Sequence, residues 1–284
     1  PQCIFGQPYA FQVIPGDSDK LMFYWQGGGA CWDAATTLSG MCTTTANPNS
    51  PTGIFDTTNA ANPYASYTIV HALYCSGDVW GGNVVAPYTH KDSPVVQVGA
   101  VNAQFTIDWV SRQVSLGSIS ATLSSFIGMG CSAGSVGVQL WSDVLLSTFG
   151  VSAQQAAIVP DSYAGVFPPN SIGPLIKEFG ICSNTAILPA SLVDQCNAGQ
   201  LDIQDVMQVH IAKYPQFPFA YIQSKIDAVQ QSFYIMLGLT TKNSSAIVTP
   251  SKFYNGVNTI FSKYNALPNF ITYLVDGPMH CFTP

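Results

Sequence analysis

Charge is the scarcest ingredient of this chain: nine lysines and arginines stand against fifteen aspartates and glutamates, 8% of all residues. Disorder needs low hydrophobicity with high net charge, and nucleic-acid binding needs a basic face, so both classes are excluded. The balance is −6, which repels polyphosphates at long range and disfavours polyanionic substrates such as unesterified pectate. Histidine is limited to four residues, and no C-x-x-C occurs. Zinc-site spacing is therefore lacking, and neither a metal nor another cofactor is expected. No apolar run approaches the about 18 residues of a membrane span, so no transmembrane segment is expected. Internal repeats, charge runs and Gly/Ser-rich linkers are also missing, which points to one domain over residues 1–284.

What is present is apolar: 47% of the chain, ample for a large core. Cysteine is plentiful, at Cys3, Cys31, Cys42, Cys75, Cys131, Cys182, Cys196 and Cys281. An even count in a lysine-poor chain implies disulfides and an oxidising compartment. Residues 243–245 (NSS) form a glycosylation sequon. The chain begins at Pro1 without a methionine, in keeping with a removed leader, and an extracellular, secreted location is expected.

The chain is organised around residues 126–139, FIGMGCSAGSVGVQ. Within them Gly130-Cys131-Ser132-Ala133-Gly134 fits G-x-S-x-G, the turn that lifts a serine hydroxyl out of a sheet. Its glycines leave room for the strained serine, and the next N–H is aimed at the same spot. The flanks agree with this. Residues 121–129 read as a buried strand, and the run from Ala133 has helical spacing at Val138, Trp141, Val144 and Leu145.

Residues 9–14 alternate between prolines as an outer strand, and residues 21–26 (LMFYWQ) are apolar throughout, as a strand covered on both faces should be. Residues 67–75 make another such strand. Residues 101–114 read as a helix with Phe105, Trp109 and Val110 inward. Residues 156–159 form a short strand ending at Pro160-Asp161. A proline-rich, cap-like insertion follows at about 164–215, with a possible Cys182–Cys196 tie and a helix over residues 202–214. Residues 219–223 and 270–275 are the last strands, with a helix over 251–264 between them. Strands alternating with helices imply an α/β fold with a mostly parallel central sheet and helices on both faces.

An acyl-transfer serine needs a base to take its proton and an acid to orient that base. In α/β-hydrolases these follow the serine in the order acid, then histidine, each after a later strand. His280 stands five residues beyond the last strand, where the base belongs. His71 falls mid-strand, His90 in a polar loop and His210 on a helix. Two acids are open: Asp227 after the next-to-last strand, the commoner position, and Asp161 after the strand before it. Asp276 belongs to a turn with Gly277 and Pro278. Gly27-Gly28-Gly29 after an early strand suits the glycine-rich half of an oxyanion hole, and the N–H of Ala133 the other half.

Taken together, QGGGACW (26–32), YCSGDVWGG (74–82), GCSAGS (130–135), PDSYAG (160–165), SKIDAVQ (224–230) and MHCF (279–282) resemble the pectin acetylesterase/Notum family of secreted carboxylesterases. The resemblance spans nearly the whole chain. It implies an α/β-hydrolase fold and cofactor-free ester hydrolysis, with Ser132, Asp227 and His280 as nucleophile, acid and base. It implies Gly28, Gly29 and Ala133 as oxyanion donors. Gln26 departs from the family's usual acidic residue, and Gly29 and Ala30 from a tryptophan.

The resulting expectation is a serine esterase with Trp32, Trp80, Asp161, Tyr163, Phe167 and Phe282 around its substrate. O-acetyl esters of neutral polysaccharide are the first substrate reading; longer, aromatic or polymeric acyl esters are the second. The reading from another class is a non-catalytic binding protein on the same fold. Cys281 is expected to be bridged and to hold the His280 loop.

Overall fold

A computed structural model describes residues 1–241 and 246–284; the sequon at 243–245 lies outside them. Seven strands form the main sheet in the order β1 (Phe11–Ile14), β3 (Tyr67–Ala72), β2 (Asp17–Trp25), β6 (Ser125–Cys131), β7 (Gln155–Asp161), β8 (Phe219–Ser224), β9 (Phe270–Val275). Only β1 runs antiparallel to its neighbour; the other pairs are parallel. β4 (Val84–His90) and β5 (Ser93–Gln97) form a separate hairpin. It closes through Lys91 and Asp92, both with positive φ, as a two-residue hairpin turn requires. The sequence reading has a loop there, because Pro87 and Pro94 obscure the alternation.

The helices are α1 (Ala34–Leu38), α2 (Gly99–Ser115), α3 (Ala133–Thr148), α4 (Ile172–Glu178), α5 (Val193–Asn197), α6 (Ile203–Lys213), α7 (Ala228–Thr240) and α8 (Pro250–Tyr264). β2 shows why the sheet divides the core. Leu21, Phe23 and Trp25 join one cluster, Met22 and Tyr24 the other, because successive strand residues point to opposite faces. The first cluster takes the apolar sides of α2, α3, α6 and α8, including Ile107, Leu145, Met207 and Phe261. Among the described residues, the helical contribution to the second cluster is one 3₁₀ turn, Gly53–Phe55. Helices are expected on both faces, but residues 43–66 are dense in Thr, Asn and Pro and have no helical apolar period. Coil therefore covers part of that face, and Ile271 and Tyr273 of β9, in register with Ala220 and Ile222, are left exposed. On α2, Phe105 is 44% exposed rather than inward, and Ala103, Ile107 and Val110 are buried. Phe105 packs its edge on Tyr9 and Phe11.

Four disulfides join Cys3–Cys75, Cys31–Cys42, Cys131–Cys281 and Cys182–Cys196. No helix among the described residues is long and apolar enough to cross a membrane.

Two histidines sit in the core. His71 on β3 stacks on Phe55 with ring centroids 4.6 Å apart, and burial pushes its pKa from 6.5 to about 3. His210 on α6 meets the Ser142 hydroxyl at 2.8 Å, and burial likewise brings it to about 4. Both are neutral when folded, whereas the unfolded chain binds their protons below pH 6.5. Their contribution to stability is thus complete above 6.5 and is lost as pH falls toward 4 and 3. The expected slope is about 1.4 kcal/mol per pH unit for each histidine in that window. Urea unfolding at about pH 7 and about pH 5 checks it; equal stability at both would contradict the assignment.

Candidate active site

Parallel strands bring their carboxyl ends to one edge of the sheet, and the chemistry-bearing loops gather there. β6 ends at Cys131 and α3 starts at Ala133, which leaves Ser132 alone at the turn with φ 59° and ψ −122°. A side chain in that region is strained, and the turn persists because its surroundings leave no alternative. Gly134 is part of that constraint. A Cβ there would lie 2.0 Å from the Trp25 carbonyl oxygen of β2, so only glycine lets α3 start this close to the neighbouring strand. The Ser132 N–H donates to the Asp161 carbonyl at 3.0 Å.

β2 continues into Gly27-Gly28-Gly29. Gly29 has φ +72°, and a Cβ on it would fall 2.0 Å from the Met41 carbonyl. A short antiparallel bridge holds the glycines: Ala30 N–H donates to Met41 O at 3.1 Å and Thr43 N–H to Gly28 O at 2.8 Å. The Cys31–Cys42 disulfide closes the same turn. The N–H groups of Gly28, Gly29 and Ala133 have no acceptor among the described residues. Free, rigidly held amides beside a serine are what a developing oxyanion requires.

The acid and base meet from the ends of the last two strands, β8 and β9. His280 Nδ1 lies 2.8 Å from Asp227 Oδ2. Asp227 is fully buried and caps α7, accepting the Gln230 N–H on Oδ1 at 2.9 Å. The Gln230 side chain donates to Asp227 Oδ2 and to Gln223 Oε1, each at 2.9 Å, and accepts the Ala164 N–H at 3.0 Å. Gln230 therefore orients the acid; it closes the SKIDAVQ motif, but the sequence reading gave it no role. Ser224 Oγ donates to Met279 O, and the Ala228 N–H to Pro278 O at 3.1 Å, fixing the chain before His280. His280 Nε2 is buried with no hydrogen-bond partner among the described residues, and it shares a pocket wall with Ser132.

That pocket is a narrow cavity of about 80 Å³ that opens to solvent. Ser132, His280, Ala133 and Gly29 stand on its wall; beyond them the lining is almost wholly apolar. Trp32, Tyr163 and Phe167 are there as expected. The Trp32 indole is held by its N–H on Thr240 Oγ1 at 3.2 Å. Burial raises the Tyr163 phenol pKa far above its ordinary range, so it stays neutral. Leu175, Ile176 and Phe179 of α4 and Phe233 and Leu237 of α7 complete the lining. The sequence reading did not include them. The helical spacing of residues 228–240 was a legible signal for α7. An open cleft lies on the other side of Ser132 and His280, with neutral polar residues Gln26, Thr43, Asn49, Ser50 and Thr52.

Three expected wall residues lie elsewhere. Trp80 is fully buried, packed on Trp25 and Tyr74, with its N–H on Gln26 O at 3.0 Å. Its loop is turned into the fold by Asp78, whose carboxylate accepts from Ser76 Oγ, Trp80 N and Gly99 N. Asp161 is fully buried under the site and engaged by neutral donors. Phe282 is held by its N–H on Asp161, and its side chain is not part of the pocket lining. Cys131, His280 and Cys281 have potential metal-binding atoms within 4.8 Å of one another, but the two cysteines are joined as a disulfide and offer no thiolate.

No protein-family model matches the chain, and no curated protein matches it in sequence. Among solved structures it is similar to the Wnt deacylase Notum from Drosophila, with a TM-score of 0.65 and 16% identity. The superposition covers 99% of this chain and 83% of that one. At such identity the likeness shows a shared α/β-hydrolase fold.

Proposed function

We propose that the protein is a carboxylic ester hydrolase of one domain, roofed by the segment at about 164–215. The observation that carries this reading is the Asp227–His280 pair and the strained Ser132 converging at the mouth of one apolar pocket. Ser132 Oγ attacks the ester carbonyl as His280 Nε2 takes its proton. The Asp227 carboxylate holds Nδ1–H and stabilises the imidazolium, and the amides of Gly28, Gly29 and Ala133 receive the oxyanion. The C–O bond to the alcohol breaks, His280 returns the proton to it, and water hydrolyses the acyl-enzyme by the same steps. The fold shared with a deacylase supports this chemistry. The four disulfides support an extracellular site of action.

For the acyl group, the apolar lining that runs from Trp32 and Phe167 to Phe179 and Leu237 favours a chain longer than acetyl. The O-acetyl-polysaccharide reading keeps one observation in its favour, the open neutral polar cleft beside Ser132. A p-nitrophenyl ester series from acetate to palmitate separates the two. Each methylene that enters the pocket is worth about 0.8 kcal/mol, so kcat/KM should rise about fourfold per carbon until the pocket fills. A maximum at acetate would overturn the long-acyl reading. No turnover and no fluorophosphonate labelling of Ser132 would overturn the hydrolase reading.

A further inference from the structure

Two carboxylates follow successive strands at this edge of the sheet, and the mechanism above uses only Asp227. The other, Asp161, is fully buried, and no ion pair reaches it among the described residues. A buried carboxylate without a cation must be satisfied by hydrogen-bond donors or it is strongly destabilising. The donors here come almost entirely from the chain just after His280. Asp161 Oδ2 accepts the Phe282 N–H at 2.7 Å, the Thr283 N–H at 2.9 Å and the Thr283 hydroxyl at 3.0 Å. Oδ1 accepts the Ser162 hydroxyl at 2.6 Å, and Ser162 Oγ in turn accepts the Cys281 N–H at 2.9 Å. Three consecutive residues after His280 thus have their amides tied to Asp161 or its neighbour. The main-chain carbonyl of Asp161 also receives the Ser132 N–H at 3.0 Å.

We propose that Asp161 is a positioning residue: its carbonyl holds the nucleophile, its carboxylate holds the loop of the base, and so it sets the register between them. The proposal rests on the hydrolase reading above. Asp227 alone does not accomplish this. It orients the His280 ring through Nδ1, but it contacts neither Ser132 nor the chain beyond His280. Asp161 is not itself in the pocket lining, and what it holds is the nucleophile and the loop of the base, so its effect should appear chiefly in the chemical step.

Asp161→Asn replaces one acceptor oxygen by an NH₂ group. With the amide oxygen toward Phe282 and Thr283, the NH₂ group meets the Ser162 hydroxyl, which must turn its proton away to accept it; in the other orientation the NH₂ group faces three donors. With the acyl ester that the wild type turns over best, kcat should fall on the order of 100-fold, as a roughly 1 Å misplacement costs. KM should stay within about a factor of two, the signature of an interaction made in the transition state. Thr283→Val removes one hydroxyl donor, which also meets the Tyr24 hydroxyl at 3.2 Å, and keeps both amides, so it should show the same kcat-only loss at a few-fold scale. Near-UV circular dichroism and Tm are measured on both variants. Unchanged kcat in a folded Asp161→Asn, or a raised KM with kcat intact, overturns the proposal while the hydrolase reading stands. Should Asp161→Asn not fold, the Thr283→Val result decides, and an unchanged kcat there overturns it. An inactive wild type overturns the hydrolase reading and this proposal with it.

Discussion

Ser132→Ala should lower kcat against the best p-nitrophenyl ester by on the order of 10⁴–10⁶-fold, because a nucleophile cannot be replaced by its supporting groups. The fold should be untouched. The Ser132 hydroxyl has no hydrogen-bond partner among the described residues, so its removal leaves nothing buried and unsatisfied. Alanine also keeps the Cβ that makes φ 59° unfavourable, so the backbone strain is the same. Ser132→Gly is the informative companion. It removes the nucleophile and the Cβ together, and strain at such a position is worth about 1–3 kcal/mol. The glycine variant should be as inactive as the alanine variant and measurably more stable in thermal unfolding. Retention of most activity in either would place the nucleophile elsewhere. A glycine variant no more stable than alanine would mean that the turn holds no strain.

The largest effect on stability is expected from the Cys131–Cys281 disulfide. It joins the residue before Ser132 to the residue after His280, across 150 positions of sequence. Closing so long a loop reduces the entropy of the unfolded chain by about 5 kcal/mol in the chain-entropy model. Cys131→Ala with Cys281→Ala should therefore lower Tm by roughly 10 °C. Activity should fall as well, since the bridge and Asp161 hold the same loop. Differential scanning calorimetry of the double variant beside the wild type measures the first effect, and ester turnover below both Tm values measures the second. An unchanged Tm would contradict the stabilising role, and unchanged turnover would leave the loop held by Asp161 alone. The bridge also accounts for Cys131 beside the nucleophile: its sulfur is bonded to Cys281 and is not a competing thiolate.

The parts of the site that lie close in sequence were legible there. G-x-S-x-G between a strand and a helix places Ser132, since the turn it needs is built from its own neighbours. Gly27-Gly28-Gly29 after an apolar strand likewise marks a close backbone approach. The strands of the main sheet were readable to within a few residues, because LMFYW and FITYLV leave little choice but a buried or half-buried strand. α7 was missed although its spacing was present, and the β4–β5 hairpin was hidden by two prolines. Aromatic residues in motif positions guided the wall only in part: Trp32 and Tyr163 line it, and Trp80 and Phe282 do not. Trp80 sits in a glycine-rich loop that is as able to fold inward as outward, and only Asp78 and the tryptophan cluster decide between them.

By itself, then, the sequence determined the fold class, the strained serine and the glycine-lined turn, because each is announced by short local patterns, although distant residues hold them in place. It also pointed to disulfide-bonded cysteines and, of their pairings, to Cys182–Cys196 alone. The tertiary structure alone decided that Asp227 meets His280 while Asp161 holds the loop behind it, and that α4 and α7 deepen the pocket. Both outcomes depend on distances between chain ends some tens to hundreds of residues apart. Local propensity carries no record of such distances; the packing of the sheet edge sets them.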